Sequence, residues 1–137
     1  MKIKKRKANL IPYCREGGVI RVFLSRRSKN AKQLPDYFGF WGGGIKEGES
    51  PEKAMLRELQ EELEYQPRSY EFLGVYYDFI PNEKHIFYAE VPADFEQRLK
   101  IHEGQYGKFF KREEILVEPW LVEDDKKIIL DFLDKLG

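Results

Sequence analysis

The sequence predicts an α/β fold in which a mixed sheet is covered on both faces. Three observations carry this. Strand-like apolar runs lie on both sides of a long amphipathic helical segment, a second amphipathic segment closes the chain, and no Pro/Gly/Ser-rich linker interrupts the 137 residues. That length suits one domain over residues 1–137, large enough for a real core.

Asn9 to Cys14 and Val19 to Ser25 read as strands joined by Arg15-Glu16-Gly17-Gly18, whose glycines supply turn geometry. In the second run Ile20, Val22 and Leu24 alternate with Arg21, Phe23 and Ser25, the pattern of a partly buried strand. Arg26 to Pro35 is polar and reads as a loop, and Tyr37 to Trp41 is aromatic and strand-like, running into Gly42-Gly43-Gly44. Ser50 is a helix N-cap with Pro51 at the first helical position, where its missing N–H is harmless. The helix runs to about Glu64, because Pro67 disfavours helical geometry at Gln66. Tyr70 to Phe79 and His85 to Val91 read as strands joined by Pro81-Asn82-Glu83, and Lys108 to Phe110 as a further short strand. A last helix, Val122 to Leu136, places Ile128, Ile129, Phe132 and Leu136 on one apolar stripe.

Lys plus Arg and Asp plus Glu number 24 each, so net charge gives no global pull toward nucleic acid or an anionic membrane. Cys14 stands alone, which excludes an internal disulfide or a cysteine metal cluster. The basic start, Lys2 to Lys7, is followed by too short an apolar run for a signal peptide, and no segment approaches membrane-spanning length. The expectation is a soluble cytoplasmic protein, monomeric or homodimeric.

The long helix carries the chemistry. At about 100° per residue, Met55, Leu56, Leu59 and Leu63 share the arc that buries against a sheet. Glu58, Glu61 and Glu62 share another, with no lysine four residues on from any of them. Such a face is either solvated or the seat of a cation. Carboxylates on a rigid helix suit Mg²⁺, with Mn²⁺ as a substitute, and both ions keep waters that phosphate oxygens replace. The glycines upstream let backbone approach a ligand closely, which favours the second reading.

Written out, the segment is Gly43, five residues, Glu49, seven residues, then Arg57-Glu58-Leu59-Gln60-Glu61-Glu62, with Tyr65 as a later bulky residue. This resembles the Nudix box, G-x5-E-x7-R-E-U-x-E-E-x-G-U, and departs from it at Glu64, where the box has glycine. Glutamate is strained in the left-handed helix end that glycine suits, so the helix is expected either to keep that geometry under strain or to run on toward Pro67.

The resemblance implies an α/β/α sandwich around a mixed sheet, and a metal-dependent hydrolase that cleaves a nucleoside diphosphate linked to another group. By position it implies metal ligation by Glu58, Glu61 and Glu62, a backbone carbonyl from the neighbourhood of Gly43, and an orienting role for Arg57. Glu49 is open between a partner for Arg57 or the helix N-terminus and a functional role. The run Glu103 to Phe110 resembles the segment of the MutT-like branch that carries an additional glutamate, making Glu103 a further metal ligand or the general base. The implied step is in-line attack of water on phosphorus, with Glu58 or Glu103 taking the proton.

The expected partner is a small nucleotide. Arg26 and Arg27 are candidates for its phosphates, and Tyr77 stands among the aromatic residues that could stack on its base. His102, beside Glu103, is a further candidate substrate contact. Pro81 lies near the proline of the ADP-ribose branch, but a proline in a turn is ordinary. An ADP-ribose or dinucleoside polyphosphate hydrolase, a non-catalytic nucleotide-binding Nudix domain, and a partner-binding role for Lys2 to Lys7 are the alternatives.

Overall fold

The computed structural model describes residues 2–137. Strand β1 (Lys5–Glu16) turns through Gly17 and Gly18 into β2 (Val19–Arg26), and both glycines have positive φ, as a tight hairpin requires. After a loop come β3 (Phe38–Gly39) and β4 (Trp41–Gly44), then helix α1 (Pro51–Leu63). Strands β5 (Glu71–Tyr77) and β6 (Asn82–Glu90) follow, then a 3₁₀ turn at Phe95–Arg98, β7 (Tyr106–Phe110), and helices α2 (Arg112–Val117) and α3 (Glu123–Leu136).

The seven strands form one mixed sheet in the order β3-β2-β1-β6-β5, with β4 also on β1 and β7 also on β2. Only β1 and β6 run parallel, from Lys5 opposite Asn82 to Tyr13 opposite Glu90. Helices cover both faces. Ile11, Val22, Leu24, Ile86 and Phe110 pack against Ile128, Ile129 and Phe132 of α3. Ala8, Leu10, Phe23, Trp41 and Phe87 pack against Met55, Leu59 and Leu63 of α1. The predicted sandwich is therefore present, and it explains why Phe23 is as buried as Val22 and Leu24 rather than on an open face.

Helix α1 begins as its residues predict: the Ser50 hydroxyl accepts from the Lys53 N–H, with Pro51 at the first position. It ends at Leu63 and does not run on toward Pro67. Glu64 takes the left-handed conformation (φ 51°) and its N–H closes the last turn on the Gln60 carbonyl. Other elements also differ from expectation. The glycines at 42–44 are strand, paired with Asn9, Ala8 and Lys7 of β1, and glycine is required at 42 because a side chain there would strike the Ala8 carbonyl. Asn82 and Glu83 belong to β6 rather than to the turn, since they pair with Lys5 and Arg6. Helix α2 lies in a stretch with no predicted element; at 6 residues it is too short to show periodicity. No described helix is long and apolar enough to cross a membrane.

Candidate metal and phosphate site

Glu58 and Glu62 lie one turn apart on α1 and face β4, where backbone can approach because glycines stand there. A Cβ on Gly43 would lie 2.7 Å from the Glu58 carboxylate carbon, so only glycine leaves the carboxylate in place. The Gly42 N–H donates to Glu62 Oε1 at 2.9 Å. Glu103 arrives from the loop before β7. That loop is tied to α1 through the His102 N–H on the Glu62 carbonyl (2.8 Å), and to β2 through the Gln105 N–H on the Arg26 carbonyl (2.8 Å). Gly104 between them has φ +84°, and a Cβ there would meet the Arg26 carbonyl at 2.8 Å. The result is three carboxylates, from Glu58, Glu62 and Glu103, with oxygens within 4.8 Å of one another.

Arg57 braces this group. Its guanidinium donates to both oxygens of Glu49 (2.8 and 3.0 Å), to Glu58 Oε1 (3.0 Å) and to the Gly44 carbonyl (3.0 Å). Glu49 therefore serves as the partner of Arg57. The Arg57 guanidinium, with the Lys46 N–H, holds the Glu49 carboxyl down at about 2. Glu61 lies outside the three-carboxylate group; its exposed carboxylate sits 3.6 Å from Arg57 Nη1.

Glu62 is the electrostatic centre. Glu62 is only 8% exposed, and burial pushes its carboxyl pKa up to about 9. The Gly42 N–H opposes that shift, while the neighbouring charges of Glu103 and Glu58 reinforce it. A buried carboxylate crowded by two others favours a cation among them. Hard oxygen donors on a rigid helix fit Mg²⁺ or Mn²⁺, so the residues present suit a divalent ion of that class.

The group opens on a cleft of about 300 Å³ lined by Ser25, Arg27, Ser28, Phe40, Glu62 and Glu103, among others. A smaller one of about 100 Å³ shares Arg27, Gly39, Phe40 and Gly42 with it. Of the residues expected to meet substrate, Arg27 lines both clefts. Arg26 lines neither: its guanidinium donates to the Asp36 carbonyl and the Tyr106 hydroxyl, and packs over the Phe38 ring. Tyr77 also lines neither; it is exposed on β5, its hydroxyl donating to Glu83. The His102 imidazole is taken up by the Glu64 carboxylate, which ties the loop to the irregular helix end. Sequence reasoning counts Phe40 among the aromatic candidates, and it lines both clefts, but misses Asn9, Ser25 and Ser28 as cleft residues. Asn9 alone carried a signal, a polar residue inside an apolar strand run.

The chain matches the NUDIX domain family model over residues 4–132. Over 68 residues it is 38% identical to 8-oxo-dGTP diphosphatase of Escherichia coli (strain K12), covering 45% of this chain and 52% of that protein. Over 91 residues it is 29% identical to RNA pyrophosphohydrolase of a Nitratiruptor species, covering 66% of this chain and 50% of that protein. The chain thus spans about half the length of the curated relatives it matches. Among solved structures, the NUDIX domain of Shewanella oneidensis NrtR, complexed with ADP ribose, superposes with a TM-score of 0.78 at 20% identity, covering 100% of this chain and 91% of that one. A mutT/nudix family protein from Listeria innocua gives 0.78 at 22% identity, covering 99% and 96%. These likenesses show the fold. With the family model spanning nearly the whole chain, and the glutamate helix set against its glycine strand, the chain belongs to the Nudix family.

Proposed function

We propose that residues 1–137 form one hydrolase domain that cleaves the diphosphate linkage of a nucleotide or nucleotide derivative, with Mg²⁺ as its ion and Mn²⁺ able to replace it. The observation that carries this reading is the convergence of Glu58, Glu62 and Glu103, from two separate segments, beside an open cleft that Glu62 and Glu103 line. Glu58, Glu62 and Glu103 would hold the ion, with Glu61 and a carbonyl near Gly43 at its edge. When bound, a divalent ion supplies charge neutralisation for phosphate oxygens and a lowered pKa for an attached water.

The chain's own residues divide the remaining work. Arg27, Ser25 and Ser28 line the cleft and offer donors to phosphate oxygens. Arg57 holds Glu58 in one orientation, which keeps the carboxylate beside those of Glu62 and Glu103. Glu103 is the exposed member of the three, able to take a proton from an attacking water and release it to solvent. Glu58, partly buried and engaged by Arg57, is the other candidate base. Retention of all these groups supports an enzyme over a domain that binds nucleotides without cleaving them.

The test is release of orthophosphate or pyrophosphate from nucleoside triphosphates, ADP-ribose, nucleotide sugars, dinucleoside polyphosphates and capped RNA, with Mg²⁺ and with chelator. Turnover that requires the ion, and falls by roughly 10²–10⁴-fold in Glu103→Gln, is expected. Binding without turnover across the set would replace this reading with the non-catalytic one.

A further inference from the structure

Two facing walls of the larger cleft belong to different loops. Loop 27–37, between β2 and β3, supplies Arg27, Ser28, Asn30 and Ala31, and the loop before β7 supplies Glu103 and Gly104. Neither loop is strand or helix, so no sheet register or helix turn sets the distance between the phosphate donors and Glu103. The Gln105 side chain bridges them. Its Nε2 donates to the Arg27 carbonyl at 2.8 Å and to Asp36 Oδ1 at 2.6 Å, which uses both of its N–H groups on the opposite wall. Among the described residues, these are the hydrogen bonds that run directly from one wall to the other. Gln105 is exposed and belongs to neither apolar cluster, so core packing does not account for it.

Both ends of this bridge are anchored. The Gln105 N–H is held by the Arg26 carbonyl, and Gly104 lies so close to β2 that a Cβ there would meet Ser25 Oγ at 2.9 Å. On the opposite wall the Arg27 N–H donates to the Tyr37 carbonyl (2.7 Å) and its Nε to the Gln33 carbonyl (2.9 Å). The bond from Gln105 to the Arg27 carbonyl completes that hold. The Arg27 Nη groups have no partner among the described residues and are left for the cleft. Asp36, left-handed at φ 66°, gives its carbonyl to Arg26 Nε (3.0 Å) and its carboxylate to Gln105. An ionised acceptor makes the second bond the stronger one, and that bond is the main cause holding the Asp36 carboxyl below its ordinary value.

We propose that Gln105 is a positioning residue: it locks the Arg27 wall to the Glu103 wall, so that a phosphate gripped by Arg27 is presented to the carboxylates in one orientation. This rests on the diphosphate-hydrolase reading. A misplacement of about 1 Å can cost on the order of 10²-fold in rate, whereas a displaced Arg27 still binds phosphate. Loss of the bridge therefore falls on kcat rather than on KM.

The experiment measures kcat and KM, with Mg²⁺, on whichever nucleotide of the panel above the wild type turns over fastest. The proteins are the wild type, Gln105→Leu, Arg27→Ala and the double variant. Gln105→Leu should lower kcat by about tenfold, with KM held within about twofold. In the Arg27→Ala background the same change should lower kcat by no more than about twofold, because the wall it held no longer grips a phosphate. Asp36→Gly removes one of the two bonds without straining the left-handed backbone; it should lower kcat by about threefold, and it decides the matter if Gln105→Leu fails to fold. An unchanged kcat in folded Gln105→Leu, a rise in KM in its place, or a loss of the same size without Arg27 overturns the proposal. If no nucleotide turns over, the hydrolase reading fails, and amide hydrogen exchange judges the bridge by itself. Exchange at the hydrogen-bonded Arg27 and Ala31 amides should quicken by about tenfold in Gln105→Leu, and unchanged exchange there refutes the bridge.

Discussion

Replacing Glu62 by Gln should stabilise the metal-free protein while abolishing metal-dependent turnover, two effects that a merely structural glutamate would not combine. Glu62 is 8% exposed, and its carboxyl pKa is raised from 4.5 to about 9, first by burial and then by Glu103 and Glu58. Because the folded pKa lies above the unfolded one, metal-free stability is fullest below about pH 4.5 and falls as the pH rises toward about 9. At pH 7 the unfolded chain holds this group ionised and the folded chain holds it protonated, a difference of about 3 kcal/mol against folding. Glutamine keeps an oxygen for the Gly42 N–H and carries no charge, so the variant should melt roughly 10 °C higher at neutral pH. Its stability should also lose most of the wild type's decline with pH. Added Mg²⁺ should reverse the order, raising the wild-type melting temperature and leaving the variant's unchanged. The assay is thermal unfolding from about pH 5 to about pH 9 with Mg²⁺ or with chelator, beside phosphate release. A metal-free variant no more stable than the wild type, or one that keeps both the Mg²⁺ response and turnover, would refute the reasoning.

Gly43→Ala places a methyl group 2.7 Å from the Glu58 carboxylate; Mg²⁺ affinity, followed by titration, should weaken by about tenfold or more while the metal-free melt moves only a few degrees. Arg57→Lys keeps the charge and loses the fork that joins Glu49, Glu58 and the Gly44 carbonyl, so kcat/KM should fall roughly 10–100-fold, with circular dichroism unchanged. The Glu49 carboxyl is depressed to about 2 by Arg57, so its stabilising contribution is present above the unfolded value of 4.5 and lost as the pH falls toward 2; Glu49→Gln should flatten that acid limb in a pH-dependent melt. Glu64→Gly relieves a left-handed residue at the end of α1 while losing the exposed pair with His102, and should raise the melting temperature by a few degrees, with Glu64→Ala lowering it.

Periodicity and local chemistry determined much of this protein from the sequence alone. The α1 helix with its Ser50 cap, the α3 stripe, the Gly17-Gly18 hairpin and the spacing of Gly43, Glu49, Arg57 and Glu58 all rest on interactions within a few residues or one helix face, which a linear reading can see. Tertiary structure decided what depends on segments distant in the chain. Glu61 reads as the equal of Glu58 and Glu62 on a helical wheel, yet the approach of β4 draws in Glu58 and Glu62 and leaves Glu61 at the rim. Arg26 and Arg27 are neighbours in sequence, but Arg26 ends β2 and packs against Phe38 and Tyr106, while Arg27, just past the strand, lines both clefts. Asn9 stood out only as a polar residue in an apolar run; its side-chain contact with the Trp41 carbonyl exists only because β4 pairs with β1. The sequence determined which groups are candidates for the chemistry, because residue type and local spacing set it; only folding decided which of them come together, because that depends on strand pairing and loop docking far along the chain.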